Sequence, residues 1–144
     1  MKNLLNRKLT ILLSPIAALM ALAVYANTSR GEPPSGQWIG TSKIDGDGLV
    51  AKTELQSSAT QGTTMRIQGR TTCTLDKGTF TPDVDGAWTL RFGDSMGGEP
   101  CTRLAAGAFK VKQGATAHEM TFDVAYPGVN GRQMRRHGTL NHYP

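Results

Sequence analysis

The chain has 144 residues, 38% of them hydrophobic and 19% charged, with 16 lysines and arginines against 11 aspartates and glutamates. Lys2, Arg7 and Lys8 fall in the first 26 positions, and without them the balance is 13 against 11, which leaves no general argument for a nucleic-acid partner. What remains is long enough for one domain with a modest core and too short for two.

Leu9 to Val24 is mostly apolar behind that basic start, and Val24-Tyr25-Ala26 places small residues at cleavage positions, so residues 1–26 are expected to be a signal peptide. The competing reading is a membrane anchor, but Ser14-Pro15 interrupts the run, which is shorter than the roughly 20 residues a span requires. Cleavage after Ala23 is the alternative. The product is expected in the periplasm or secreted, with no stable membrane anchor after cleavage. Asn27 to Ser35 contains Thr28, Ser29, Gly31, Pro33 and Pro34 and no large apolar side chain, which predicts a flexible tail over 27–34.

From Ser35-Gly36-Gln37-Trp38 onward, period-two alternation dominates and no window holds a convincing helical stripe. Leu49, Ala51, Thr53 and Leu55 share one face of a strand. A long strand then runs from Met65 through Ile67, Gly69, Thr71 and Cys73 to Leu75, followed by a short strand around Phe80 that Pro82 ends. Trp88, Leu90 and Phe92 alternate with Thr89 and Arg91. Phe109 and Val111 alternate with lysines, and Met120, Phe122, Val124 and Tyr126 follow in one phase. In the last strand Met134, Arg136, Gly138, Leu140 and His142 share a face.

The connectors Asp45-Gly46-Asp47-Gly48, Gln61-Gly62, Lys77-Gly78, Asp85-Gly86, Gln113-Gly114 and Asn130-Gly131 are hairpin chemistry. About eight strands joined by short turns predict an all-β domain over 35–144, an antiparallel up-and-down barrel with a β-sandwich as the alternative. Cys73 and Cys101 are the only cysteines. In an exported chain they are read as one disulfide, because no C-x-x-C pair or histidine at ligand spacing points to zinc. That bridge is expected to brace a loop from Gly93 to Pro100.

Asp45-x-Asp47-Gly48 and Asp83-x-Asp85-Gly86 could offer oxygens to calcium, but neither supplies a later bidentate acid, so both are read as turns and no metal site is expected. Arg132, Arg135, Arg136, His137 and His142 form a basic cluster that strand alternation splits between two faces. His118 and His142 fall in the phase of the apolar residues, too little by themselves for acid-base catalysis. No nucleophile elbow, zinc helix, phosphate loop or dinucleotide fingerprint is present, so neither an enzyme nor a cofactor is expected.

Gly36-Gln37-Trp38, the run of meander strands after it and an arginine in the last strand resemble the calycin group, and the Ser-Gly-Gln-Trp opening, one disulfide and a free N-terminal tail are similar to its bacterial periplasmic metalloprotease inhibitors. The resemblance implies that Trp38 plugs one barrel end with Arg136 across its ring, and that Thr28, Ser29, Arg30, Gly31 and Glu32 enter a partner's cleft. The cysteines lie later than that family places them.

Two functions follow as expectations. The first is a non-enzymatic module that binds or inhibits another exported protein through that tail. The alternative is a calycin-type carrier of a small hydrophobic ligand, with Trp38, Trp88, Phe109, Tyr126 and Arg136 near its pocket. The apolar side chains of the inward phase are numerous enough to fill an eight-stranded interior, so a large cavity is not required.

Overall fold

Alternating apolar positions need one sheltered face, and antiparallel strands rolled into a barrel supply it without exposed edges. The computed structural model describes residues 31–144. The signal-peptide expectation and Thr28, Ser29 and Arg30 lie outside the described residues. Glu32–Pro144 form one compact unit.

The strands are β1 (Gly36–Ile44), β2 (Val50–Ser58), β3 (Gly62–Gln68), β4 (Thr72–Pro82), β5 (Trp88–Arg91), β6 (Asp94–Met96), β7 (Ala108–Gln113), β8 (Glu119–Pro127) and β9 (Gln133–Tyr143), with helix α1 (Glu99–Ala105) between β6 and β7. β1 pairs with both β2 and β9, and β3 with both β2 and β4, so the order β1-β2-β3-β4-β5-β7-β8-β9 closes on itself. This is the expected all-β antiparallel barrel and not the sandwich, and it is consistent with calycin-like architecture. β6 is an extra strand on the edge of β4.

Three local expectations are corrected. The predicted strand through Met65 and Leu75 is a hairpin that turns at Gly69-Arg70-Thr71, with Ile67 facing Cys73 and Met65 facing Leu75. Cross-strand partners share a face, so a three-residue turn preserves the period-two phase and hides the break. Conversely, Lys77-Gly78 is not a hairpin turn but a bulge within β4: the register shifts between Thr63 and Met65, and Lys77 takes φ 55°. A side chain at Gly78 would meet the Thr63 carbonyl at 2.7 Å and the Phe92 ring at 2.9 Å.

The third correction is α1. Gly97 and Gly98 at φ 121° and 91° turn the chain, Pro100 tolerates the unpaired first turn, and Glu99 bonds Arg103 Nε at 3.1 Å one turn on. Seven residues bury only Cys101, Leu104 and Ala105, too short a stripe to stand out from the surrounding alternation. The connection from β5 to β7 therefore departs from a pure meander. The bridge Cys73–Cys101 forms as expected, with Cα atoms 5.3 Å apart, and it fastens a helix where a braced loop was expected.

Leu55, Met65, Leu75, Leu90, Phe109 and Leu140 are fully buried and fill the middle of the barrel, joined by Ile67, Met120, Phe122 and Val124. Phe109 meets Phe92 edge-on with centroids 5.2 Å apart. The middle of the barrel is thus filled by side chains, and one end is not.

Candidate functional site

The barrel has two unlike ends. Trp38 sits at one, buried, donating its indole N–H to the Ser35 carbonyl at 2.9 Å and meeting the His142 ring edge-on at 4.9 Å. Arg136 is not its partner. On the β1–β9 ladder Trp38 faces His142 whereas Ile44 faces Arg136, so six strand positions, about 20 Å, separate the tryptophan from the arginine. The contact that the calycin resemblance implied is made by a histidine.

The other end opens into a recess of about 460 Å³. Its walls are the β1–β2 turn with Asp47, Leu49 and Val50, the β3–β4 turn with Arg70, the β8–β9 loop from Pro127 to Arg132, and the face of α1 carrying Arg103 and Leu104. Tyr126, Met134 and Arg136 project into it from β8 and β9. The disulfide determines this wall: Cys73 also lines the recess, and its bond to Cys101 holds α1 against the barrel end. Arg103 completes the tie, donating from Nη1 to the Gly128 carbonyl at 3.0 Å and so linking helix to β8–β9 loop.

Exposed apolar side chains gather at the mouth. Leu49, Val50 and Val129 keep 49%, 62% and 65% of their surface in solvent although all three line the recess. Clustering at one opening is what distinguishes a binding rim from scattered surface residues. Beneath them the Arg136 Nη1 donates to Ser42 Oγ at 2.9 Å, and Ser42 Oγ lies 2.8 Å from Thr53 Oγ1. Ser42 and Thr53 are buried, and the Arg136 Nε is buried without an acceptor among the described residues.

Of the five ligand residues named from the sequence, Tyr126 and Arg136 come together in this recess, and Asp47 and Arg132 join them from the acidic turn and the basic cluster. Phe109 is in the filled middle, and Trp88 is half-buried against Phe80 with centroids 6.3 Å apart, toward the Trp38 end. Gly31 and Glu32 are exposed and outside any strand. Sequence reasoning missed Leu49, Val50, Arg70, Arg103 and Val129. The legible signal was apolar Leu49-Val50 directly after a D-G-D-G turn and Val129 between Gly128 and Asn130, positions where a plain turn has no use for apolar surface.

Arg132 of the basic cluster also lines the recess, whereas Arg135 and His137 lie on the outside of the barrel beside carboxylates. Arg135 Nε donates to both Asp123 oxygens at 2.9 Å, which together with the charge pair raises the guanidinium pKa, and His137 Nδ1 lies 2.9 Å from Asp45. The second D-x-D-G turn is likewise engaged. The Asp85 carboxyl is held below the usual carboxylate range first by its hydrogen bond to Lys110, 3.0 Å away, then by the Ala87 amide and the charges of Lys110 and Lys112. Asp47 accepts from the Leu49 amide at 3.1 Å in the first turn. His118 and His142 are exposed at the Trp38 end with ring centroids 6.3 Å apart.

No family model matches the chain, and no curated protein matches it. Among the described residues no helix is long and apolar enough to cross a membrane. The disulfide fits an oxidising compartment.

Proposed function

We propose that this is an exported, non-enzymatic binding protein that takes a small ligand with an apolar body into the recess beneath α1. The observation that carries the reading is the concavity itself: about 460 Å³, within the range of small-molecule sites, at the one end of a filled barrel where the apolar side chains Leu49, Val50 and Val129 remain exposed. Of the two functions expected from the sequence, the carrier is the one this geometry favours, with its site at a barrel end and Tyr126 and Arg136 retained from the expected residues. The inhibitor-like reading rests on the tail around Thr28, Ser29 and Arg30, and no observation on the described residues favours it.

Met134 supplies the test, because its side chain lines the recess whereas Met65 and Met120 are buried in the barrel middle. Methyl-labelled methionine NMR of the full chain, titrated with long-chain acids and alcohols, flavins and haem, is expected to move the Met134 signal and leave Met65 and Met120 nearly still. If every compound leaves Met134 in place, the carrier reading is wrong.

A further inference from the structure

We infer that the ligand is an amphipathic anion, an apolar body with one carboxylate or similar anionic head, and that Arg136 receives the head. This rests on the reading of the recess as a small-ligand site and adds the chemistry that selects the ligand.

Arg136 has an incomplete set of partners. A guanidinium presents five N–H donors and carries its charge at every accessible pH. Arg136 is given one neutral acceptor, the Ser42 hydroxyl, and among the described residues no carboxylate lies within 4.0 Å of it. Its Nε has no exposed surface and, among the described residues, no acceptor. Arg135, the residue before it, shows the ordinary outcome on the same strand, a guanidinium satisfied by the two oxygens of Asp123. Sheltered charge without a counterion is costly, and the cost falls when an anion arrives with its own acceptors.

The surroundings have the same sign. Among the described residues Arg70, Arg103, Arg132 and Arg136 line the recess against a single acid, Asp47, and of the four only Arg103 is paired with a carboxylate, Glu99. A cation head would be repelled, and an uncharged apolar molecule would leave Arg136 as it is. Ser42 and Thr53 share a 2.8 Å hydrogen bond behind the guanidinium, so the base of the site is fixed before a ligand enters. Leu49, Val50, Leu104, Met134 and Val129 then cover an apolar body while the head lies at the arginine.

Three probes with the same chain length separate the head from the body: dodecanoate, dodecanol and dodecyltrimethylammonium, each kept monomeric and titrated into the full chain by calorimetry with Met134 methyl shifts read in parallel. Dodecanoate is expected to bind at least about tenfold more tightly than dodecanol, the value of one charge-assisted contact, with the cation weakest. Equal binding of acid and alcohol overturns the role of Arg136 and leaves the carrier reading standing. No Met134 shift with any probe overturns both, and so does binding of the chain to phosphatidylglycerol vesicles without any binding of monomeric dodecanoate.

Arg136→Met is expected to bring dodecanoate down to about the affinity of dodecanol while dodecanol itself binds as before. Its ligand-free melting temperature should stay level or rise, since the variant removes an uncompensated charge. A purely structural arginine predicts the reverse: a falling melting temperature with acid still preferred over alcohol. Should the variant fail to fold, the head-group series on the unaltered chain decides by itself.

Discussion

Cys73, at the start of β4, and Cys101, on the buried side of α1, lie 5.3 Å apart at their Cα atoms, and their bond makes a seven-residue helix a fixed wall of the recess. A helix that short has no stability of its own in water. Its position therefore depends on the bridge, on Leu104 and on the Arg103 link to Gly128. Replacing both cysteines by alanine should cost about 3 to 4 kcal/mol, the loop-closure entropy of a loop this long. Chemical denaturation measures that loss. Hydrogen exchange should show α1 opening well before the barrel strands, whereas uniform loosening would mean that the bridge does not act locally.

Gly97 passes closer to its surroundings than any side chain allows. A Cβ there would press on the Thr72 carbonyl and lie 2.6 Å from the Cys101 sulfur, with φ at 121°. Gly97→Ala is expected to destabilise by more than about 1 kcal/mol and to slow formation of the disulfide during oxidative refolding. Gly46→Ala is the control. It has positive φ at 79° but open space around it, so it should show only the backbone cost of about 1 kcal/mol and normal oxidation. Equal effects of the two substitutions would show that backbone strain, not crowding, governs Gly97.

The barrel was legible in the sequence because alternation survives almost everywhere, and even its strand number came out at eight for two offsetting reasons. The Gly69-Arg70-Thr71 turn keeps the inward phase of Ile67 and Cys73, so one hairpin reads as one strand. Lys77-Gly78 has turn composition but lies inside β4, where a bulge also calls for positive φ. Local sequence cannot separate those two uses of the same conformation. Two of the five ligand residues named from the sequence, Tyr126 and Arg136, line the recess. The others are apolar for the core's sake, and apolar character does not say which depth along the barrel axis a side chain occupies. The recess itself is made by α1 and the loops, elements whose placement depends on the disulfide rather than on periodicity.

Acid should weaken the fold through Asp76 and Asp85. The Asp76 carboxyl lies below its usual range first because it accepts from the Lys77 amide at 2.8 Å, then from the Thr64 hydroxyl at 2.8 Å, and Asp85 is lowered first by Lys110. A folded-state pKa below the unfolded one means stability that is present above about pH 4 and lost as pH falls through the folded value. Lys110 is raised in turn by its hydrogen bond to Asp85 and then by the charge of Asp85, so its contribution is full below its unfolded pKa and fades only when pH rises through the higher folded one. The melting-temperature gap between the unaltered chain and Asp76→Asn should be constant at neutral pH and narrow below pH 4. A gap that widens with acid would reverse the assigned sign.

The exposed rim separates binding from folding. Leu49 and Val129 contribute little buried surface to the core, so Leu49→Asp and Val129→Asp should leave the melting temperature nearly unchanged. Each introduces a carboxylate at the mouth of a cationic, apolar recess. Affinity for a long-chain acid should fall about tenfold or more, through lost apolar cover and repulsion of the head, and the loss for the matching alcohol should be smaller.

At the opposite end Trp38→Ala removes a buried indole and should cost about 3 to 5 kcal/mol. Its distance from the recess gives it a distinct signature: the surviving folded protein should bind the acid with unaltered affinity. Denaturant titration and calorimetry on the same preparations read the two quantities separately. Loss of affinity in Trp38→Ala with no loss in the rim variants would move the binding site to the tryptophan end and overturn the assignment of the recess.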